Sequence, residues 1–306
     1  MTTPHLTRRT LIASAAAVPL ATVARPGHAA APMLGAATPG FKRFTLGGFE
    51  VTTLLSNSFP RDDPHSIFGL NVSEEEFNKV SAEANLPTDQ ARFFFTPTVV
   101  NTGSDLVLFD TGLSAADITG ALEGAGYTAD QVDVVVITHM HGDHIGGLMN
   151  EGTPTFPNAR YVTGAVEFDA WSKAENERFD SNMKPLAEKA TLIDPGADVV
   201  SGITAVDAFG HTPGHMVYRV ESDGKQLIIA ADFANHYVWS LAYPDWEVKF
   251  DMDKEAAAAT RKRLLDMMAA DKIPFVGYHM PWPAVGYAAK HGDGYVYIPE
   301  SYQLQL

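Results

Sequence analysis

Short runs of alternating or continuous apolar residues recur along most of this chain, broken by glycine, proline and acidic residues. That rhythm predicts many short strands with single helices between them. Residues 41–55 alternate around Gly47-Gly48 and read as two paired strands. Residues 98–101 and 106–110 flank Thr102-Gly103-Ser104-Asp105, a hairpin signal. Val132-Asp133-Val134-Val135-Val136-Ile137 is almost continuously apolar, so it reads as a buried strand. Further strands are expected at 161–163, 203–208, 216–220, 226–231, 275–277 and 295–298. Ser114 caps a predicted helix that ends at Gly124 and Gly126; 165–173 is a second, and Asp253 starts a third that runs to about Ala270. Strands in runs, separated by single helices, predict two sheets packed together with helices outside. Residues 56–92 are polar, hold three prolines, and carry one helix start at Ser73. This segment is expected to lie over a site or to form a homodimer face, not to enter the core.

The first 31 residues have a different character. Arg8-Arg9 precede a mild apolar run from Leu11 to Ala24, and small residues continue to Ala31. This is the layout of a bacterial export signal of twin-arginine type, with cleavage expected between Ala24 and Ala31. The apolar run is shorter than the roughly 20 residues that span a membrane. The division expected is therefore 1–31 as signal and 32–306 as one domain, in a periplasmic or secreted protein.

Charge and cysteine content narrow the chemistry. The net charge of −15 argues against a nucleic-acid partner, which requires a basic face. With no cysteine, disulfides and thiolate ligands are excluded. Any metal site must then be built from imidazole and carboxylate, which suits zinc and also admits manganese, iron or cobalt.

Such residues are concentrated in one place. His139-Met140-His141-Gly142-Asp143-His144 sets three imidazoles and a carboxylate at the carboxyl end of the 132–137 strand, followed by Gly146-Gly147. Three later positions also stand at predicted strand ends: His215 in Thr212-Pro213-Gly214-His215, Asp232 after residues 227–231, and His279 after residues 275–278. Spacing alone does not choose between His215 and the nearby His211.

Taken together, His139-x-His141-x-Asp143-His144, Gly210-His211-Thr212-Pro213-Gly214-His215, Asp232 and His279 resemble the metallo-β-lactamase superfamily, in that family's order. The likeness spans about residues 41–300 and is strongest to methyl parathion hydrolases and related secreted lactonases, through residues 106–112, 137–148, 156–159, 211–215, 278–283 and 292–295. It implies an α/β (α+β) fold, a four-layer αββα sandwich of two mixed sheets. It also implies two divalent metal ions. His139, His141 and His215 would hold one, Asp143, His144 and His279 the other, and Asp232 would bridge them. His211 would support the site from outside it, and Asp110 would order the first loop through hydrogen bonds. Two such ions would share a water and bring its pKa from about 15.7 to about 7. Asp143 and Asp232 would then take part in catalysis.

No Gly-x-Ser-x-Gly elbow is present to suggest a serine hydrolase. The expected substrate is a small, neutral, largely apolar molecule, with Phe95, Trp239, Asn235 and Trp282 as pocket candidates. The leading reading is a lactone or ester hydrolase, with acyl-homoserine lactones among its substrates; the alternative is an organophosphate triesterase. A β-lactamase ranks lower because the sequence shows no basic residue beside the site motifs. Some lactonases of the family place a tyrosine three residues after the bridging aspartate. This chain has Asn235 there, with Tyr237 close by.

Overall fold

The computed structural model describes residues 33–304, so the expected export signal lies outside the described residues. From Pro39 onward the chain forms one compact unit. Phe41–Leu46 (β1) and Phe49–Leu54 (β2) form the first hairpin. Asn57–Asp62 (β3), Glu74–Glu83 (α1) and Gln90–Phe95 (β4) follow. Next come Thr98–Asn101 (β5), Leu106–Phe109 (β6), Ala115–Gly124 (α2), Val134–Ile137 (β7) and the short helix Gly142–Ile145 (α3). Met149–Asn150 (β8) and Thr153–Pro154 (β9) make a small hairpin. Arg160–Gly164 (β10), Ala165–Lys173 (α4), Glu177–Asn182 (α5) and Ala190–Ile193 (β11) complete the first half.

The second half runs through Asp198–Val200 (β12), Ile203–Asp207 (β13), Met216–Ser222 (β14) and Lys225–Ala231 (β15). Lys254–Asp271 (α6), Phe275–Gly277 (β16), Val285–His291 (β17) and Gly294–Pro299 (β18) close it.

Two seven-stranded sheets result. The first has the order β1-β2-β5-β6-β7-β10-β11; the second runs β12 to β18 in sequence order. Both are mixed: β6, β7, β10 and β11 pair in parallel in the first, and β15 with β16 in the second. Side chains that alternate along β6 and β7 explain why these runs are apolar throughout. Val107, Phe109, Val134 and Val136 pack into the layer shared with the second sheet, against Tyr218, Ile229 and Val276. Leu108, Val135 and Ile137 face the other way, onto Ile118 and Leu122 of α2 and Trp171 of α4. Helix α6 lays Leu264, Leu265 and Met268 into the first of these clusters. The four-layer αββα arrangement is thus observed.

Residues 56–92 depart from expectation. They build a third core of their own, in which Phe68 and Phe77 are fully buried with Phe93, Trp239 and Trp246. The polar composition hides three phenylalanines spaced nine apart, at positions 59, 68 and 77. The strand pair β3–β4 was not visible in the sequence pattern, because Pro60 and the charged residues of β3 interrupt any alternation.

The first metal-motif loop is held against residues 110–114 by close backbone packing. A Cβ on Gly147 would sit 2.2 Å from the Thr111 carbonyl oxygen. Gly147→Ala is therefore expected to destabilise the protein by about 1–3 kcal/mol through overpacking. Gly120, exposed inside α2, meets nothing within 4 Å of the same test atom. Gly120→Ala should stabilise by about 0.5–1 kcal/mol, because alanine loses less backbone entropy in a helix. Paired thermal melts check both signs.

Candidate metal centre

Most motif residues named above stand where a strand leaves its sheet, while His211 and His215 lie in the loop that leads into β14. Asp110 follows β6, the His139–His144 loop follows β7, Asp232 follows β15 and His279 follows β16 by one residue. Two of these exits carry backbone strain. Asp110 and Ala231, the residue before Asp232, both adopt left-handed φ, 60° and 46°. For alanine such a conformation costs on the order of 1–2 kcal/mol, and strain of this kind concentrates at functional sites. Here it turns the chain at the point where Asp232 enters the centre.

Two ligand-type clusters form. In the first, His139, His141 and His211 bring ring nitrogens within 4.8 Å of one another. His139 Nε2 and His141 Nδ1 stand 3.2 Å apart, and His141 Nδ1 and His211 Nε2 stand 3.0 Å apart. In the second, Asp143, His144, Asp232 and His279 do the same. Asp232 touches both. Its Oδ2 lies 3.2 Å from His279 Nε2 and 3.4 Å from His211 Nε2, and its Oδ1 lies 3.4 Å from His144 Nε2.

One expectation is overturned by this geometry. The third imidazole of the first cluster belongs to His211, and His215 stands behind it. Both nitrogens of His215 are engaged elsewhere: Nδ1 with the Ala208 carbonyl at 3.0 Å, and Nε2 as acceptor of the Asp232 backbone N–H at 3.2 Å. A neutral imidazole has one donor and one acceptor nitrogen, so His215 has no lone pair left for an ion. Its fully buried ring serves to fix the backbone of Asp232.

The outer nitrogens are held in turn, which orients each ring. His211 Nδ1 meets Asp251 Oδ1 at 2.8 Å, His144 Nδ1 meets Asp110 Oδ2 at 2.8 Å, and His279 Nδ1 meets the Phe94 carbonyl at 2.8 Å. Asp110 also accepts from the Thr138 N–H and hydroxyl, both at 2.9 Å. These bonds tie Asp110 to the residues that open and close the loop. Asn235 donates to Asp232 Oδ2 at 3.0 Å, so its place is beside that carboxylate and not on the pocket wall.

The electrostatics suit cations. Burial and the neighbouring His211 press the His141 pKa down to about 3, which leaves its ring neutral with a lone pair facing inward. Burial and neighbouring imidazoles hold His139 well below its ordinary value. Asp143 is desolvated, yet His144 and His279 bring its pKa down to about 2. Two carboxylates, Asp143 at the cavity face and the buried Asp232, thus persist as anions. Buried His144 Nε2 and Asp232 Oδ1 have no hydrogen-bond partner and face one another across the centre. Unpaired buried groups of this kind require a partner, and the donor set of imidazole nitrogen and carboxylate oxygen fits divalent metal.

Two cavities adjoin the centre and meet at His279. One of about 320 Å³ is lined by Phe59, Phe93, Phe95, Leu113 and Phe250, and reaches His141, Asp143 and Asp232. Arg61 and Arg178 also line it. Basic groups near the site are therefore present, contrary to the sequence reading. The other, about 450 Å³, lies along β4 with His236, Tyr237 and Trp239 on its wall. Phe95 lines the smaller of the two cavities. Trp239 is almost fully buried, donates to Ser81 Oγ at 3.0 Å and belongs chiefly to the third core. Trp282 lines neither cavity. Nearness in sequence to His279 placed it wrongly, because the chain turns away at Pro281.

Sequence reasoning also missed three buried polar residues around the centre: Glu167, Asp251 and Arg261. For Arg261 a signal existed. Ala257, Arg261, Leu264, Leu265 and Met268 form the buried stripe of α6, so helical spacing alone puts this arginine on the apolar face.

Known proteins share this fold. A family model described as the metallo-beta-lactamase superfamily matches residues 96–275. An N-acyl homoserine lactonase of a Bacillus species is 26% identical over 163 residues, which are 53% of this chain and 61% of the lactonase. The chain thus matches less than two thirds of that relative's length. Among solved structures, AidC, described as a dizinc quorum-quenching lactonase with a bound product, superposes with a TM-score of 0.81 at 26% identity, over 86% of this chain and 98% of AidC. AbOPH, described as a hydrolase in the beta lactamase superfamily, shares the fold with a TM-score of 0.79 at 22% identity, over 87% of this chain and 99% of its own. The family model covers over half the chain and takes in every residue of the centre except His279: the chain belongs to the metallo-beta-lactamase superfamily.

Proposed function

We propose that this protein is a dinuclear-metal hydrolase of lactone or ester bonds, with acyl-homoserine lactones as the leading substrate class. The observation that carries this reading is the Asp232 carboxylate, which faces both ligand clusters at 3.2–3.4 Å. His139, His141 and His211 would hold one ion, Asp143, His144 and His279 the other, and Asp232 both. Zinc is the metal expected first. When bound, such a pair acidifies a water and polarises the oxygen of the group under attack.

The chain's own residues supply the rest. Asp143 lies at the cavity face, part exposed, where it can take a proton from water and pass it to a leaving oxygen. Phe59, Phe93, Phe95 and Phe250 exclude water and bury an acyl chain or an aryl group. Arg61 and Arg178 offer donors to an amide or ester oxygen at the same wall. The dizinc lactonase AidC supports the lactone reading. The aromatic wall supports aryl phosphotriesters as the second.

A substrate panel tests it. Metal-loaded enzyme is offered homoserine lactones of several chain lengths, dihydrocoumarin, an aryl ester, methyl parathion and a cephalosporin. Lactone turnover well above the others is expected. Turnover of the cephalosporin alone would overturn the reading, and the two cavity arginines make that control worth including. Export to the periplasm or medium is proposed from residues 1–31; an intact Met1 on the mature protein would refute it.

A further inference from the structure

The two loops that carry the first cluster come from opposite halves of the chain, one after β7 and one before β14. A single side chain ties them. Glu167, in the first turn of α4, is fully buried. Its Oε1 accepts from the Met140 backbone N–H at 2.9 Å, inside the His139–His141 loop. Its Oε2 accepts from the Thr212 hydroxyl and the Gly214 N–H, both at 2.8 Å, inside the His211–His215 loop. The approach is close: a Cβ on Gly214 would lie 2.2 Å from the Glu167 backbone nitrogen. The same helix sets Trp171 edge-on against His141, with ring centroids 5.8 Å apart. Burial raises the carboxyl's pKa while the three donors favour its anionic form, as does the positive end of α4.

We propose that Glu167 is a positioning residue that sets the separation of the two loops, and so closes the His139, His141 and His211 cluster around its ion. The proposal rests on the dinuclear reading above. It follows from the acceptor count: three donors from two loops converge on one carboxylate, and no neutral side chain of that size can satisfy all three. A glutamine keeps one oxygen. Its NH₂ group would face either the Met140 N–H or the Thr212 and Gly214 donors, and one loop would be released.

The test is a zinc titration against a competing chelator, on wild type, Glu167→Gln and Thr212→Val. Wild type should bind two ions. Glu167→Gln should weaken one of them by about 10–100-fold, the range seen when groups behind metal ligands are altered, and leave the other within about twofold. Thr212→Val, which removes one of the three donors, should shift the same ion in the same direction by less. Cobalt loading gives a second readout: the absorption of one site should change while that of the other stays. If Glu167→Gln weakens both ions equally, or neither, while wild type still binds two, Glu167 does not position this cluster and the dinuclear reading stands. If wild type binds no ion or a single one, both fall. Thr212→Val keeps the question open to refutation if the glutamine variant fails to fold.

Discussion

Replacing His211 by alanine should remove one ion and lower kcat/KM by about a thousandfold, whereas His215→Ala should keep both ions and lose stability instead. The prediction follows from where the two rings spend their nitrogens. His211 Nε2 faces His141 at 3.0 Å and Asp232 at 3.4 Å, and its Nδ1 is oriented by Asp251. Its loss removes a nitrogen donor that nothing nearby replaces. An ion at such a site is worth several kcal/mol of transition-state stabilisation, and each 1.36 kcal/mol is tenfold in rate. His215, by contrast, bonds the Ala208 carbonyl and the Asp232 N–H. Truncation leaves a cavity and two unsatisfied buried groups, which together cost about 2–4 kcal/mol. At roughly 2–4 °C per kcal/mol for a domain of this size class, the melting point should fall by about 4–16 °C. Metal analysis and calorimetry on the two variants decide the matter. If His215→Ala lost an ion and His211→Ala kept two, the arrangement seen here would be wrong.

That pair of histidines also marks how far the sequence could be read. The His139–His144 loop was legible because four ligand-type residues fall within six positions behind an unmistakable buried strand. Asp232 and His279 were legible for the same reason, each standing after a short apolar run. His211 and His215 flank Thr-Pro-Gly four residues apart, and both precede β14. Their roles are separated by contacts from remote parts of the chain. Met216 begins β14, so His215 enters the core with it, while Asp251 and the packing of Gly210 on the start of α6 hold His211 forward. A carboxylate forty residues downstream leaves no trace in local spacing. Glu167 escaped notice for the same reason, since its three donors come from positions 140, 212 and 214. The fold suffered less, because period-2 alternation and continuous apolar runs are local signals. It was missed at β3, which is polar and partly exposed, and at β4, β8, β9, β11, β12 and β17.

Arg261→Met should be the most destabilising single change outside the ligand set, by about 3–5 kcal/mol. Arg261 is fully buried in α6 and bonds Asp251 Oδ2 at 2.8 Å, while it also donates to the carbonyls of Phe233 at 3.0 Å and Pro244 at 2.9 Å. Asp251 in turn orients His211. Methionine fills much of the volume but leaves a carboxylate buried without its cation, and removing one partner of a buried ion pair costs about that much. The Phe233 and Pro244 carbonyls lose a donor as well, and with them goes the anchor of the segment that leads away from Asp232. The expected melting point falls by about 10 °C, and zinc affinity falls because His211 loses its fixed orientation. Adding Asp251→Asn should restore part of the stability, since the penalty resides largely in the unpaired charge, while zinc affinity should not recover. A double-mutant cycle read by thermal unfolding and by chelator competition separates the two effects. If the double variant were no more stable than Arg261→Met alone, the cost would lie in the carbonyl contacts. The buried pair would then be a consequence of the loop's path and not what holds it.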